Sequence, residues 1–299
     1  MTEPSPFQAD KLLEAVTQQS YPNATLYVVA TPIGNSGDIS LRALQLLSLA
    51  DAVACEDTRN TAQLMTRYGL HKTLIAAHQH NEHEVAQKII QRLQNGERIA
   101  LVSDAGTPAV SDPGAIIVDQ VRAAGLRICP LPGCSAAISA LSASGLIHDQ
   151  FYFVGFLPAK AGQRDTTLQQ LVNTPATMIF YEAPHRIIDS VQALLHAFGG
   201  DRQIVFAREL TKLFEEIHRC KLSEASAWLH ADSHREKGEF VILIEGAKQS
   251  QEEDQTEAKR VLSILLAELS VKQAAALAAQ ITGQKKNALY QLALEMKGE

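Results

Sequence analysis

Ser103-Asp104-Ala105-Gly106-Thr107-Pro108 is followed, two residues on, by Ser111-Asp112-Pro113-Gly114. Each cluster combines a carboxylate with glycine and proline. Asp104 supplies a fixed negative charge, Gly106 lets backbone approach a ligand closely, and the prolines hold the loop's shape. One Asp-Ala-Gly alone reads as a surface turn; two such clusters in succession read as a ligand loop. Glu56-Asp57-Thr58-Arg59 offers either an acidic helix start or a polar wall of a site. Phe180-Tyr181-Glu182-Ala183-Pro184-His185-Arg186 and Ala207-Arg208-Glu209-Leu210-Thr211-Lys212 each set arginine beside glutamate. Both admit a structural ion pair or, through the planar arginine fork, a phosphate contact. His78, His80 and His83 lack an i, i+4 pair with a third carboxylate ligand, so they read as substrate contacts or plain loop, and no metal is expected.

These groups need elements to hold them. The apolar run Ile99–Val102 leads directly into the Asp104 loop, and in open α/β sheets ligands sit outside the carboxyl ends of strands. Leu26–Ala30 leads likewise into Thr31-Pro32-Ile33-Gly34-Asn35. That loop has no G-x-G-x-x-G, and the chain has no P-loop, so neither common nucleotide fingerprint applies. Strand-like runs at 52–55, 73–77 and 126–129 alternate with helical patterns at 40–49, 58–68, 82–94 and 115–124. The alternation predicts a largely parallel sheet with helices on both faces. A helix of small residues at 135–144 opens a second, mixed α/β half, with strands at 151–156, 177–181, 203–207 and 240–244 and a helix at 187–198. The fold class is α/β: two domains, 24–133 and 134–248, after an extension, 1–23, read as a loose leader with one helical turn.

Gln249–Gln255 reads as an acidic linker. The tail, 256–299, reads as a helix-turn-helix-like module. Residues 258–299 carry six Lys/Arg against three Glu on a chain of net charge −6. Ser270 with Gln273 forms a capping-box pattern, and Thr282-Gly283 a turn. The tail suits nucleic-acid contact or a packing role. With 299 residues, 46% hydrophobic and 20% charged, the chain can build substantial cores. No leader peptide or membrane span is expected. The four cysteines form no CxxC and read as reduced, mostly buried thiols of a cytoplasmic protein.

In these pieces the chain resembles the tetrapyrrole methylase family of S-adenosyl-L-methionine enzymes, and within it the branch that methylates a cytidine ribose of 16S ribosomal RNA. The resemblance runs from about Leu26 to Gly246. It rests on TPIGN (31–35), EDTR (56–59), HNE (80–82), SDAGTP (103–108), SDPG (111–114), LPG-x-SA (131–136), SGL (144–146), GFLP-x-K (155–160), FYE-x-P-x-R (180–186), ARELTK (207–212) and GE (238–239), in order. One departure is Cys134, where the family has proline; a local change in loop stiffness is expected.

The resemblance implies a homodimer with the cofactor cleft between the two α/β domains. It implies cofactor contacts from Pro32, Ile33, Asp104, Gly106, Thr107, Ser135 and Ala136, with Tyr181 completing the pocket. The acceptor would be 16S rRNA in the small ribosomal subunit. A ribose hydroxyl needs its proton drawn off; Glu56, Asp57 and Glu182 are candidates for acid/base or orienting roles. Arg59, Arg186, Arg208 and Lys212 would grip phosphate or support a developing alkoxide. Two alternatives stay open: a small, corrinoid-type acceptor on the same fold, and an RNA-binding assembly factor without turnover.

Overall fold

The structure is a computed structural model that describes residues 9–147, 149–247 and 251–298. Pro4 and Pro6 of the expected leader, and Gln249 and Ser250 of the expected linker, lie outside the described residues. Helix α1 (Ala9–Thr17) replaces the single turn expected of the leader with about two and a half turns.

The first half alternates as predicted: β1 (Thr25–Val29), α2 (Leu41–Leu49), β2 (Ala52–Cys55), α3 (Thr58–Arg67), β3 (Thr73–Ala76), α4 (Glu82–Gln94), β4 (Arg98–Leu101), α5 (Ala115–Ala123) and β5 (Arg127–Leu131). The strands pair in the order β3-β2-β4-β1-β5, all parallel. Successive side chains point to opposite faces. Tyr27, Val29, Val53 and Cys55 therefore pack with Leu46, Leu47 and Met65 of α2 and α3. Leu26, Ala54, Ile99 and Leu101 pack on the other face with Ile89 and Leu93 of α4 and Ile117 and Val121 of α5. Helices on both faces bury every central strand, which is why these runs are apolar without alternation.

The second half holds α6 (Ala136–Ala143), β6 (Phe151–Phe156), α7 (Ala161–Leu171), β7 (Thr177–Glu182), α8 (Ile187–Phe198), β8 (Gln203–Arg208), β9 (Glu216–Lys221), α9 (Leu222–His230) and β10 (Phe240–Ile244). The order is β6-β7-β10-β8-β9, with β6 parallel to β7 and the other three pairings antiparallel. One face packs Phe180, Phe206 and Ile242 against Leu168, Val191, Leu194 and Leu229 of α7, α8 and α9. The other packs Ile179, Val205, Ala207 and Val241 against Ala137 and Ala140 of α6, with Ile33 and Tyr181 at the margin. Strand β9 was not anticipated. It is an edge strand whose sequence, Glu-Ile-His-Arg-Cys-Lys, carries little apolar signal. Both sheets lie in one compact unit of the chain, up to residue 245 without 173–175.

Residues 173–175 and 246–299 form a second unit. It contains α10 (Gln251–Leu266), α11 (Val271–Thr282) and α12 (Lys286–Lys297) around a small core of Ala258, Leu262, Ala274, Ala278 and Leu289. The expected linker is corrected here: residues 251–255 are the first turns of α10. Glutamate and glutamine are good helix formers, and acidic residues suit a helix's first turn. The Ser270 hydroxyl bonds Gln273 Oε1 at 2.7 Å instead of capping backbone, whereas Gly283 closes α11 in the left-handed conformation at φ 71°. The cysteines are free, but Cys55 alone is buried; Cys129, Cys134 and Cys220 are partly exposed. No described helix is long and apolar enough to cross a membrane.

Candidate active site

The loops after β4, β1 and β5, three neighbouring strands, leave the first sheet at the same end. They are tied to each other. Thr31 and Gly106 exchange two backbone hydrogen bonds, each 2.9 Å, as an isolated antiparallel bridge. The Thr31 hydroxyl donates to the Ser103 carbonyl at 3.0 Å, and the Thr107 hydroxyl to the Cys134 carbonyl at 3.0 Å. Gly106, at φ 80°, takes a conformation that a side chain would strain. Ser135 accepts from Ile138 N as the N-cap of α6, and the first turn of α6 meets β7, where the Tyr181 hydroxyl accepts from Ala137 N at 3.3 Å.

Between these loops and the second sheet lies a cavity of about 370 Å³. Seven of the eight expected cofactor contacts line it: Ile33, Asp104, Gly106, Thr107, Ser135, Ala136 and Tyr181; Pro32 does not. Val110, Phe156, Leu210 and Val241 extend the apolar wall. The volume falls in the range of about 300–1,000 Å³ that small-molecule sites occupy, with apolar walls and a few fixed polar groups. Asp104 is less free than its position suggests: its carboxylate accepts from Asp57 N at 3.2 Å and from Asn60 Nδ2 at 2.7 Å. It braces the loop after β2 against the loop after β4.

Asp112 is the carboxylate that sequence reasoning left without a role. It lines the cavity, and burial pushes its carboxyl up to about 6; the Glu56 charge adds to this, and a hydrogen bond with Ser103 opposes it. Its loop is strained, with Ala109 at φ 66° and Ser111 at φ 60°, and such conformations persist where the surroundings over-determine them. The signal was present in the sequence as a second Ser-Asp pair eight residues after the first. Glu56 is outside the cavity lining; burial first, then the Asp104 charge, raises its carboxyl above the ordinary range.

Of the other acid/base and cation candidates, Glu182 lines the cavity, and Asp57, Arg59, Arg208 and Lys212 do not. Asp57 caps α3, accepting from Arg59 N at 2.8 Å, and its bonds from the Arg59 side chain and backbone hold it down to about 2. The helix-start reading is the correct one for Asp57. The Arg59 side chain, 86% exposed, pairs with it at 2.7 Å. Glu182 lines the cavity, although its carboxylate is engaged behind the second sheet, and Arg208 is absent from the lining. Tyr181, Val241 and Ala207 form one row across β7, β10 and β8; Glu182, Phe240 and Arg208 form the next. Period-two alternation turns the second row toward α8 and α9. The Glu182 carboxylate, 1% exposed, accepts from Ser190 Oγ at 2.5 Å and Ala183 N at 2.8 Å and pairs with Arg186 Nε at 3.4 Å. Arg208 donates to the carbonyls of His234 and Lys237 and faces Glu216. Arg186 also donates to the Leu157 carbonyl. All three side chains are engaged in contacts within the fold. The Lys212 ammonium lies between Glu209, at 2.9 Å, and Glu239, at 2.7 Å. Among the histidines, a His83 ring nitrogen lies 2.6 Å from Gln120 Nε2. The Cys134 thiol donates to the Asp38 carbonyl at 3.3 Å, so the residue that replaces proline gains a tether to the loop after β1.

A parallel sheet joined to a mixed one, with strand-end loops closing on a cavity where they meet, defines a two-sheet α/β enzyme scaffold. The chain belongs to the tetrapyrrole (corrin/porphyrin) methylases, whose family profile matches residues 25–226. A second profile, the RsmI C-terminal HTH domain, matches residues 252–297. The ribosomal RNA small subunit methyltransferase I of Pseudomonas aeruginosa is 52% identical, with 92% of this chain and 98% of that protein covered. The protein of that name in Escherichia coli O157:H7 is 50% identical, covering 91% and 96%. Among solved structures, the uroporphyrin-III C-methyl transferase of Thermus thermophilus in complex with S-adenyl homocysteine matches with TM-score 0.51 and 18% identity, over 73% of this chain and 96% of that one. That likeness carries the fold.

Proposed function

We propose that the chain binds S-adenosyl-L-methionine in this cavity and methylates the 2′-hydroxyl of a cytidine ribose in 16S ribosomal RNA, with Asp112 as proton acceptor. The supporting observation is the cavity itself: seven residues expected at the cofactor line it, and its size suits a nucleoside-sized ligand. The donor set fits as well, since Asp104 and Asp112 give a cationic ligand a negative wall. The acceptor class rests on relatives at about half identity over nine-tenths of this chain, named for ribosomal RNA methylation. A tetrapyrrole acceptor is named by the family profile and by fold neighbours such as those at 17% and 18% identity, whereas the relatives at about half identity carry the RNA name.

When bound, the cofactor supplies an electrophilic methyl on a positively charged sulfur. This chain's residues have three tasks. The tied loops at Thr31–Gly106 and Thr107–Cys134 fix the cavity walls, because in-line displacement gains most from positioning. Asp112, poised near neutral pH, accepts the ribose proton. Arg59, exposed beside the loop that Asp104 braces, meets backbone phosphate. The division into domains at 24–133 and 134–248, with a helical tail, belongs to the same reading, as does a cytoplasmic homodimer. Phe151, Tyr152 and Phe156 on edge strand β6, 48–53% exposed, offer a second copy an apolar surface.

The test is mass spectrometry of 16S rRNA fragments from a deletion strain. One cytidine ribose methyl should be missing, and the purified chain with S-adenosylmethionine should restore it. An intact methylation pattern in the deletion strain rules the acceptor out.

A further inference from the structure

The β8–β9 hairpin ends in a seven-residue loop, 209–215, that carries Leu213 at 88% and Phe214 at 67% exposure. Adjacent exposed hydrophobes on a slack loop would mean little. This loop is held at many points. Glu209 N donates to the Glu239 carbonyl at 3.0 Å, and Glu239 N to Glu209 Oε1 at 2.9 Å. Thr211 N donates to Glu215 Oε2 at 2.6 Å, and Asn35 N to the Thr211 hydroxyl at 3.1 Å. Lys212 bridges Glu209 and Glu239. Glu209 at φ 50° and Thr211 at φ 66° are strained non-glycine residues, which only an over-determined loop keeps. The framework holds the two apolar side chains out in water.

The loop is also continuous with the cavity. Leu210 is buried in its wall, and Phe214 is four residues on, at most about 14 Å along the chain. Its charges exclude one kind of partner. Within the loop Glu209 and Glu215 stand beside a single cation, Lys212, which Glu209 and Glu239 already hold, so the loop offers phosphate no free cation. What such a tip accepts is an apolar face without charge.

We propose that Leu213 and Phe214 form a wedge that stacks against an unstacked base of the RNA next to the nucleotide entering the cavity. This rests on the reading that the acceptor is RNA. A ribose in structured RNA reaches an enclosed site only when its stacking is broken, and an aromatic face stabilises the freed base without reading its identity.

The experiment compares the full-length wild type with Phe214→Ala and Phe214→Trp on small ribosomal subunits from a deletion strain. Stacking of one base predicts a fall in kcat/KM of about 10- to 100-fold for Phe214→Ala, with near-complete rescue by Phe214→Trp. Cofactor affinity by calorimetry stays unchanged. The wild-type-to-alanine ratio stays constant between low and moderate salt, because no phosphate contact is lost. A Phe214→Ala rate within twofold of wild type overturns the wedge. So does a change in sedimentation of the free protein, which would assign the tip to contact between copies. If the wild type itself leaves the subunits unmethylated, the acceptor reading fails first and the wedge falls with it.

Discussion

Replacing Asp112 by asparagine is expected to make the protein more stable and less active. In the folded chain burial disfavours the charge and pushes the carboxyl up to about 6 from its ordinary 3.8. Between those pH values the folded state holds the proton more often than the unfolded one. Stability from this group is therefore full below about pH 4 and is lost as pH rises through 6. At pH 7.5 the wild type carries the whole cost. At about 1.4 kcal/mol per unit the ceiling is roughly 3 kcal/mol, and partial solvent access lowers this to about 1–2 kcal/mol. Asp112→Asn removes the charge and keeps the shape. Its melting temperature should exceed wild type by about 3–6 °C at pH 7.5 and match it near pH 4. In the same variant kcat should fall by about 10²- to 10⁴-fold. A cationic ligand favours the ionised carboxylate, so cofactor binding to wild type should release protons near pH 6 and release almost none at pH 8. Calorimetry in buffers of different ionisation enthalpy measures this. A variant that is no more stable than wild type at pH 7.5, or a stability difference that ignores pH, refutes the burial argument. Normal turnover refutes the proton-acceptor role.

Glu182→Ala should cost about 2–4 kcal/mol in urea unfolding, because it strands Ser190 and Arg186 around a buried site, while the folded fraction keeps its methylation rate. Gly34→Ala should lower stability by about 1–3 kcal/mol and weaken cofactor binding. Its new methyl would lie 2.6 Å from Lys212 Cγ and 3.1 Å from the Leu210 carbonyl, and Leu210 is cavity wall. The double variant Lys285→Glu with Lys286→Glu, at the exposed start of α12, should weaken RNA binding. It should reduce the slope of log affinity against log salt by roughly 2, with cofactor affinity unchanged.

Most of the first sheet was legible because parallel strands buried on both faces leave continuous apolar runs, and β1, β4 and β5 end at loops that carry glycine and proline. The cofactor-facing loops were legible for the same reason. The direction of the Glu182 and Arg208 side chains could have been read from the strand pattern, although Glu182 itself still lines the cavity. Once Tyr181 is placed toward the cavity, alternation sends its neighbour Glu182 to the opposite face, and the register carries Arg208 with it. Asp112 shows in the sequence only as a repeat of the Ser-Asp pair; the burial that raises its carboxyl, and the Glu56 charge that adds to it, come from the folded chain. Strand β9 was invisible because an edge strand exposed to water needs no apolar alternation. The opening turns of α10 hid behind a polar composition that suits linkers and helix starts equally.

The placement of β10 has a consequence for how the chain is made. It is the last strand to leave the ribosome, yet it sits between β7 and β8 in the middle of the second sheet. Until residues 240–244 arrive, the β6–β7 pair and the β8–β9 hairpin each expose an apolar strand with unpaired backbone along its length. Such edges are templates for pairing with another chain. The nascent protein is therefore at its most aggregation-prone late in synthesis, and a single five-residue insertion ends that exposure on both sides at once.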